Sequence, residues 1–401
     1  MYKKTNLFLY LILILGSLLL SLIFRARMVG RKDLKTVRAI KGPVLVIGTH
    51  HSPIDFLFMT RMLFPKRIGF VLAANLYYDK RYSWAIRLMR NAIPKKQFAA
   101  DFECVKSIKK MIENGISVGL YPEGRVSVDG TESYVGANIA KLIKWLKVPV
   151  VLVKNSGAYL SMPRFNLKFH VGKIELSAKR IFTKEETETM SASEIHKVLQ
   201  SEFKYNEFEY QQDRHIAFLG RRPALGLDRL LYKCPKCGAE FKMEAELDKL
   251  KCTVCGNTAT IDSYGAITAQ ENGVCYPRVD LWYKYQKEEL QKEIEAADDY
   301  TLTCEVGLAV NDEESGMFHS IERGTLTLSK QGYLYQGESG QTLAFSIAST
   351  PSIAFVVGTS IDFFRDNTIY RFCFDKIFMS TKYNIATELL HQKYFKEPSK
   401  D

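Results

Sequence analysis

Residues 42–55 read GPVLVIGTHHSPID, an apolar run of strand length that ends at two histidines and continues into helical periodicity after Asp55. Two further apolar runs of this kind follow at residues 116–121 and 148–154, and segments with helical periodicity lie between them. Short buried strands that alternate with helices predict an α/β fold. Polar residues stand where these strands end, and that is where open α/β sheets place their sites.

His50 is separated from Asp55 by four residues, between the end of a strand and the start of a helix. A turn of this length can bring the carboxylate back onto the imidazole ring. The carboxylate would then accept a hydrogen bond from one ring nitrogen and leave the other free to take a proton from an alcohol. Such a pair is a general base with its orienting group but without a protein nucleophile, so the substrate hydroxyl would attack directly. The alternative interpretation is that Asp55 only caps the helix and that His50 lies in a turn.

The strand at residues 116–121 leads into the turn Tyr121-Pro-Glu-Gly-Arg-Val-Ser127. Gly124 allows the backbone to approach a ligand closely, and Arg125 can hold a phosphate through two parallel hydrogen bonds. Glu123 could orient a cation or the free hydroxyl of an acceptor. The alternative interpretation is a surface turn with a solvated arginine.

In order and spacing, these segments resemble the motifs of the glycerolipid acyltransferase family over about residues 40–210. The family's first motif, Asn-His-x4-Asp, matches at His50 and Asp55. Its third motif, Phe-Pro-Glu-Gly-Thr-Arg-Ser, matches residues 121–127 at Pro, Glu, Gly and Ser, and its last motif, an apolar strand with a proline, matches at Pro149. The resemblance implies a mixed sheet flanked by helices, with His50 and Asp55 as the catalytic residues.

The cationic positions depart from the family's pattern. The arginine of the third motif would fall on Val126, whereas this chain has Arg125. The arginine of the second motif would fall near Gln97, whereas this chain has Lys95 and Lys96. Cationic groups of these motifs hold the acceptor's phosphate in the family, so the resemblance implies a set of substrate-binding residues: Lys95, Lys96, Glu123, Gly124, Arg125 and Pro149.

The activity implied by the resemblance is the transfer of a fatty acyl group from acyl-CoA or an acyl carrier protein to the hydroxyl of a lysophospholipid. The simplest case is the conversion of 1-acylglycerol-3-phosphate to phosphatidic acid. The alternative is a catalytically idle, membrane-tethered adaptor that binds partners through its C-terminal half. The presence of both His50 and Asp55 favours the enzyme, and the displaced Arg125 favours the adaptor. None of these residues predicts the acyl chain length or the oligomeric state.

Leu7 to Phe24 is an uncharged, apolar segment. As a helix it would be about 27 Å long, which is close to the hydrocarbon thickness of a bilayer. It predicts a retained membrane anchor over residues 1–30. The alternatives are a cleaved signal peptide, although no cleavage site follows, and a helix that lies within one leaflet. Basic residues crowd the side that follows the segment, and the positive-inside rule therefore places residues 25–401 on the cytoplasmic side of the membrane.

The positive charge of the chain is concentrated beside this segment. The formal net charge is +12, but the first 100 residues alone contain 18 lysines and arginines against three acids. Such a block suits anionic lipid headgroups or phosphate-bearing substrates. Nucleic acid is the competing interpretation, but the link to a hydrophobic segment favours membrane lipid, and no nucleic-acid partner is expected.

Four of the eight cysteines form two Cys-x-x-Cys-Gly segments, and 14 residues lie between the two segments. The spacing predicts a zinc ribbon over residues 230–262, with Cys234, Cys237, Cys252 and Cys255 as tetrahedral ligands. Four protein ligands leave no open position, so the zinc would be structural. A redox pair is the alternative, but two pairs at this spacing favour a metal.

The C-terminal third has a different pattern. Residues 279–299 predict a charged connector helix, and residues 300–396 predict short strands that are followed by a final helix. This last segment faintly resembles a pleckstrin-homology or GRAM barrel, and a packing module without a ligand is the alternative. Together with the anchor and an acyltransferase domain over residues 31–215, the sequence predicts five segments.

Overall fold

The computed structural model describes residues 6–79, 83–84, 86, 91–311, 317–365, 368–376 and 379–395. Within these residues, three sheets follow one another along the chain, over residues 27–182, 243–269 and 302–374. The first sheet carries His50 and Asp55, the second lies beside the paired cysteines, and the third forms most of the C-terminal part.

The first sheet is mixed and has seven strands. The strands are β1 (Arg27–Met28), β2 (Leu45–Gly48), β3 (Ile68–Ala73), β4 (Ala92–Lys95), β5 (Ser117–Leu120), β6 (Val150–Ser156) and β7 (Glu175–Phe182). Their order is β1-β7-β6-β2-β5-β3-β4, and each neighbouring pair is parallel except β6 and β7. The predicted α/β fold with a mixed sheet is therefore confirmed.

Ten helices of the described chain accompany this sheet. They are α1 (Leu7–Ile23), α2 (Arg31–Ala39), α3 (Asp55–Leu63), α4 (Ala74–Tyr78), α5 (Phe102–Glu113), α6 (Asn138–Leu146), α7 (Ala158–Ser161), α8 (Lys184–Thr189), α9 (Ala192–Phe203) and α10 (Glu207–Arg214). Leu45 and Ile47 of β2 pack into a core with α5 and α6, whereas Val46 packs on the opposite face with α3. Because side chains of a strand alternate between its two faces, a strand that is covered on both faces must be apolar throughout.

Helix α1 packs against α3 on one side only. The Tyr10 hydroxyl donates to the carbonyl of Lys66 at 3.1 Å, and Arg61 of α3 donates to the hydroxyl oxygen of Ser21. The other face of α1 is apolar and exposed, and we call it the α1 apolar face: Leu7, Phe8, Leu11, Ile12, Leu15, Leu18, Leu19 and Leu22.

Helix α1 has 17 residues, and in the described part of the chain no helix is both long and apolar enough to cross a bilayer. The spanning helix that the sequence predicts over Leu7 to Phe24 is therefore not found.

The second sheet is small and antiparallel. A short helix, α11 (Leu227–Leu230), precedes the strands β8 (Met243–Glu246), β9 (Lys249–Cys252), β10 (Thr258–Ile261) and β11 (Ile267–Ala269), which lie in the order β11-β10-β9-β8. The helix predicted as a connector is α12 (Val279–Ala296). It packs on the cysteine region, because Trp282 donates to the carbonyl of Lys233 at 3.0 Å and Gln286 donates to that of Leu230 at 2.8 Å.

The third sheet is antiparallel and is followed by one long helix. Its strands are β12 (Leu302–Asn311), β13 (Phe318–Ser329), β14 (Gly332–Gly337), β15 (Thr342–Ser346), β16 (Ala354–Val356), β17 (Ser360–Arg365) and β18 (Thr368–Phe374), with a 3₁₀ turn at Ile347–Ser349. Their order is β15-β14-β13-β12-β18-β17-β16. The final helix, α13 (Met379–Phe395), is buried over most of its length. The resemblance to a pleckstrin-homology barrel stays a prediction.

The cores of the second and third sheets are continuous. Met243 and Leu250 beside the cysteines, Trp282 of α12, and Leu308 and Tyr383 of the C-terminal part belong to one hydrophobic cluster. Lys382 of α13 also donates to Glu240 at 2.8 Å. The cysteine region and the C-terminal sheet therefore share one hydrophobic core.

Candidate active site

The candidate site lies where β2, β5 and β6 end. These strands are neighbours and run parallel, so their carboxyl ends meet at one edge of the sheet. His50 follows β2, Glu123 follows β5, and Asn155 stands near the end of β6. Residues far apart in the sequence are brought together here by the order of the strands.

His50 and Asp55 are in contact. His50 Nδ1 lies 3.1 Å from Asp55 Oδ2, and the backbone N–H groups of His51 and Ser52 donate to the same oxygen at 2.8 Å each. The Asp55 side chain is 0% exposed and that of His50 is 19% exposed. The carboxylate therefore closes the turn before α3 and contacts the imidazole ring. The residue before α3 is Ile54, and the helix has no side-chain cap, so the interpretation of Asp55 as only a helix cap is not supported.

The tautomer of His50 follows from this contact. A carboxylate that receives two backbone N–H groups can only accept, so Nδ1 must carry the proton and donate to Asp55. Nε2 is then the basic nitrogen, and the described contacts of the His50 ring nitrogens involve Nδ1 alone. A neutral imidazole held in this way can take a proton from an alcohol.

The His50 ring is fixed by the third-motif turn as well. It stacks on the ring of Tyr121, with centroids 4.1 Å apart and 17° between the planes. Gly48 makes room for this stack, because a Cβ at that position would lie 2.7 Å from both Tyr121 Cε1 and Met59 Cε. The amide N–H of Ser127 donates to the carbonyl of His50 at 2.7 Å.

Glu123 is buried and faces the backbone rather than open space. Its Oε1 accepts the N–H of His50 at 2.8 Å and its Oε2 accepts that of Ser133 at 2.9 Å. Burial raises the pKa of Glu123 to about 8, and the two N–H donors offset only part of this effect. The sequence predicts Glu123 as a substrate-binding residue, whereas the structure engages both of its oxygens in positioning the backbone of His50 and of Ser133.

Arg125 is engaged by side chains of the C-terminal part. Its Nη1 donates to Asn384 Oδ1 at 2.7 Å and to Ser352 Oγ at 2.9 Å, and its Nη2 donates to Glu388 Oε1 at 2.7 Å. Burial would raise the pKa of Glu388, but the guanidinium of Arg125 holds that pKa below its usual value. The residue predicted to hold the acceptor's phosphate is engaged in a buried ion pair.

The loop after β4 lies against the third-motif turn. Gln97 Nε2 donates to the carbonyl of Gly124 at 2.6 Å, and Gly124 adopts a left-handed φ of 73°. Lys95 donates to the carbonyl of Ala99 at 2.7 Å, and burial lowers its pKa. The N–H of Lys96 donates to Asp101 at 2.9 Å. The structure thus places Lys95 at the end of β4 and Lys96 in the loop that follows, and this loop contacts the turn containing Glu123, Gly124 and Arg125.

Pro149 does not join the site. It precedes β6 and its carbonyl accepts the N–H of Leu45 at the start of β2, which is the amino end of both strands. Asn155 lies six residues further along, and a strand covers about 20 Å over that length. Pro149 therefore lies at the opposite edge of the sheet from His50, because a parallel strand carries its two ends to opposite edges, and its role in substrate binding stays a prediction.

Asn155 is a site residue that the sequence argument missed. Its Nδ2 donates to Asp55 Oδ1 at 3.1 Å, across 100 residues of sequence. The available signal was an amide after the apolar run of residues 148–153 and Lys154, followed by Ser156 and Gly157. A polar residue in this position indicates the carboxyl edge of the sheet, where sites occur. The side chain that it contacts depends on the order of the strands, which the sequence does not show.

The four predicted zinc ligands come together. Their Sγ atoms all lie within 4.8 Å of one another, and the pairs Cys234–Cys255 and Cys237–Cys252 are 3.8 Å apart. A tetrahedral zinc with Zn–S bonds of about 2.3 Å places its sulfurs about 3.8 Å apart, whereas a disulfide would need about 2.0 Å. Gly238 and Gly256 take left-handed φ angles of 73° and 69°, and each donates to the carbonyl of the first cysteine of its segment at 3.0 Å. The donor set and its geometry fit zinc.

The chain was compared with known proteins. Residues 25–154 match the family model described as Acyltransferase. Among solved structures, the 1-acyl-sn-glycerophosphate (LPA) acyltransferase PlsC from Thermotoga maritima is similar with 18% identity and a TM-score of 0.38, over 47% of this chain and 72% of that chain. No curated protein matches the chain. Residues 25–154, which contain His50 and Asp55, thus match the acyltransferase family.

Proposed function

We propose that this protein transfers a fatty acyl group from an acyl thioester to the hydroxyl of a lysophospholipid. The observation that carries the proposal is the His50–Asp55 contact, at 3.1 Å, within the segment that matches the acyltransferases. The thioester is an acyl-CoA or an acyl-carrier-protein conjugate, and the simplest acceptor is 1-acylglycerol-3-phosphate, which would become phosphatidic acid.

The proposed reaction needs one base and one leaving group. Nε2 of His50 takes the proton of the acceptor hydroxyl as its oxygen attacks the thioester carbonyl. The tetrahedral intermediate then expels the thiolate, which receives that proton from His50, so an ester and a free thiol are formed. Asp55 accepts the hydrogen bond of Nδ1–H and stabilises the imidazolium that exists between the two proton transfers.

The acceptor's phosphate is proposed to meet Lys95 and Lys96. Arg125 is engaged by Glu388 in a buried ion pair, whereas the Lys95 ammonium donates to the backbone carbonyls of Lys96 and Ala99 and interacts electrostatically with Asp101. A lysine is a compact point charge with three donors and suits a mobile phosphate. This assignment puts the phosphate on the β4 loop, beside the turn that holds Gly124.

Residues 1–30 are proposed to hold the protein on the cytoplasmic surface of a membrane through the α1 apolar face. Exposed leucines are unfavourable in water, and their burial in lipid stabilises by about 25 cal/mol per Å². Arg25, Arg27 and Arg31 follow α1 directly and favour anionic headgroups. The acceptor and the product of the proposed reaction are themselves membrane lipids.

Zinc is proposed to hold the two Cys-x-x-Cys-Gly turns together. When bound, the ion supplies a tetrahedral crosslink and no open coordination position. The residues that would hold it are Cys234, Cys237, Cys252 and Cys255.

The adaptor remains a second candidate function because of one observation. Arg125 lies in the third motif, yet it is engaged by Ser352, Asn384 and Glu388 of the C-terminal part. A chain that had given up catalysis could use a motif residue in this way. The adaptor hypothesis requires that purified protein transfers no acyl group to any acceptor.

The test is an acyl-transfer assay of purified full-length protein in detergent or vesicles. Labelled acyl-CoA and acyl carrier protein are offered as donors to lysophosphatidic acid, other lysophospholipids and glycerol 3-phosphate. We expect a labelled phospholipid from a lysophospholipid acceptor and its loss in His50→Ala. Absence of product with every donor and acceptor would leave the adaptor as the function.

A further inference from the structure

We propose that Asn155 is a positioning residue that holds Asp55 in the plane required to orient His50. The inference rests on the proposed acyl transfer. It gives a role to a residue near the end of β6 that lies outside the motifs of the acyltransferase family. Asn155 is 1% exposed, and its Nδ2 donates to Asp55 Oδ1 at 3.1 Å.

The two oxygens of Asp55 are held in different ways. Oδ2 receives three donors, namely His50 Nδ1 at 3.1 Å and the backbone N–H groups of His51 and Ser52 at 2.8 Å. In the described structure, Oδ1 receives a hydrogen bond only from Asn155. The torsion that turns a carboxylate is soft, so donors on one oxygen alone leave the plane of the group poorly defined. Asn155 supplies the second point that defines it.

The orientation of the Asn155 amide is fixed by charge. A carboxylate oxygen only accepts, so the amide must present its NH₂ to Asp55, and its Oδ1 then points away into a buried region where it has no described partner. A buried amide oxygen without a partner is costly. This cost is offset because the amide NH₂ donates to a buried carboxylate. Hydrogen bonds to charged groups are stronger than those between neutral groups.

Asn155 is also held independently of the groups it positions. It lies in β6 between β2 and β7, and its backbone pairs with Leu176 of β7. Asp55 belongs to the first turn of α3, and His50 belongs to the loop after β2. The amide thus ties the base-orienting carboxylate to the carboxyl end of a strand of the sheet rather than to its own loop.

The variant Asn155→Leu tests this role because leucine has nearly the same size and offers no donor. We expect kcat to fall about 10- to 100-fold, the scale of one hydrogen bond to a charged group, with the KM values of donor and acceptor changed less than threefold. The matched control is Asn166→Leu, which removes another buried amide whose Nδ2 donates to the carbonyl of Arg222. That variant should keep kcat, and thermal unfolding of both variants reports any general loss of stability.

A double-mutant cycle separates positioning from general destabilisation. If Asn155 acts only through the His50–Asp55 pair, then Asn155→Leu should leave the residual rate of His50→Ala unchanged. An equal loss in both backgrounds would show a merely structural role and would overturn the inference.

A readout without turnover distinguishes this inference from the proposed function. Nitrogen-15 NMR of labelled histidine side chains reports the tautomer of His50, with His50→Ala assigning the resonance. We expect the Nδ1–H tautomer in the wild type and a reduced fraction of it in Asn155→Leu. A wild type without acyl transfer but with this tautomer shift would refute the function and support the role of Asn155. An unchanged tautomer together with an unchanged kcat would refute the role of Asn155.

Discussion

His50 and His51 are neighbours in the chain but lie in opposite surroundings. The His50 ring reaches Asp55 and keeps partial exposure, whereas His51 is 1% exposed and its ring lies 4.7 Å from that of Tyr205. Burial lowers the pKa of His51 to about 4, so this ring is neutral near pH 7. Of these two rings, His50 is therefore the one that the proposed reaction uses.

We therefore expect His50→Ala and His51→Ala to differ in rate. Removal of a general base costs on the order of 10²–10⁴ in kcat, so His50→Ala should lose activity on that scale while acyl-donor binding survives. Asp55→Asn should also lose kcat, because the tautomer is no longer fixed. His51→Ala should keep most activity and lose thermal stability. Steady-state kinetics with unfolding curves check this, and an inactive His51→Ala with an active His50→Ala would show that the wrong histidine is assigned.

Glu123 predicts a dependence of stability on pH. Burial raises its pKa from an ordinary 4.5 to about 8 in the folded chain, so between these values the folded state holds a proton that the unfolded state has lost. The free energy of unfolding must then fall as pH rises from 4.5 to 8 and level off above it. Glu123→Gln removes this contribution, so its free energy of unfolding should decline less than that of the wild type across the same window. Denaturant unfolding at several pH values measures the difference, and parallel curves for the two proteins would contradict it.

At the scale of single residues, the sequence predicted contacts between residues that are close in the chain and missed contacts between residues that are far apart in it. The spacing of His50 and Asp55 was enough to predict their contact, because five residues form a single turn. The partner of Arg125 could not be predicted, because Glu388 lies 263 residues further along. The position of Pro149 at the opposite edge of the sheet could not be predicted for a related reason, since a sequence motif does not show which end of a strand faces the site.

The exposed α1 apolar face predicts that helix α1 binds to membranes. We expect Leu15→Glu with Leu22→Glu to reduce co-sedimentation with anionic vesicles, because two charges would have to enter the interface. The matched control is Leu247→Glu with Leu334→Glu, which places the same charges at exposed leucines elsewhere on the chain. Equal binding by the two variants would show that α1 does not contact the membrane.

The two Cys-x-x-Cys-Gly turns predict about one zinc per chain. Elemental analysis should find about one equivalent in the wild type and none in Cys234→Ser with Cys252→Ser. The double variant should unfold at a lower temperature, because the cysteines belong to the same core as Trp282 and Tyr383. Cys275 is not one of the four clustered cysteines, so Cys275→Ser is the control and should keep the metal. Metal-free wild type with the same unfolding temperature as the double variant would refute the zinc site.

The molecule as a whole is more connected than its sequence segments predict. Composition and periodicity divide the C-terminal half into a ribbon, a connector and a β-rich domain. The structure joins them through one hydrophobic cluster and through the contacts of α12 and α13 with the ribbon. These contacts are invisible in the sequence because they join side chains more than 40 residues apart, and no periodic pattern records which faces will meet.

The Arg125–Glu388 pair links the third-motif turn to α13, and it gives the last prediction. Both side chains are largely buried, and removal of one partner from a buried pair typically costs about 3–5 kcal/mol, because the other charge is left uncompensated. Arg125→Ala and Glu388→Ala should each lower the free energy of unfolding strongly, and the double variant should lose less than the two together. Arg323→Ala, from an exposed pair with Asp375, should change it little.

Acyl-transfer kinetics of the same variants decide what the arginine is for. If Arg125 serves mainly to dock α13 against the motif turn, both single variants should change the acceptor KM by similar factors, because each removes the same contact. If instead the arginine leaves Glu388 to bind the acceptor's phosphate, Arg125→Ala should raise the acceptor KM while Glu388→Ala, which frees the guanidinium, should lower it. Opposite shifts would return Arg125 to the phosphate site that the sequence predicts, and parallel shifts would leave the phosphate to Lys95 and Lys96.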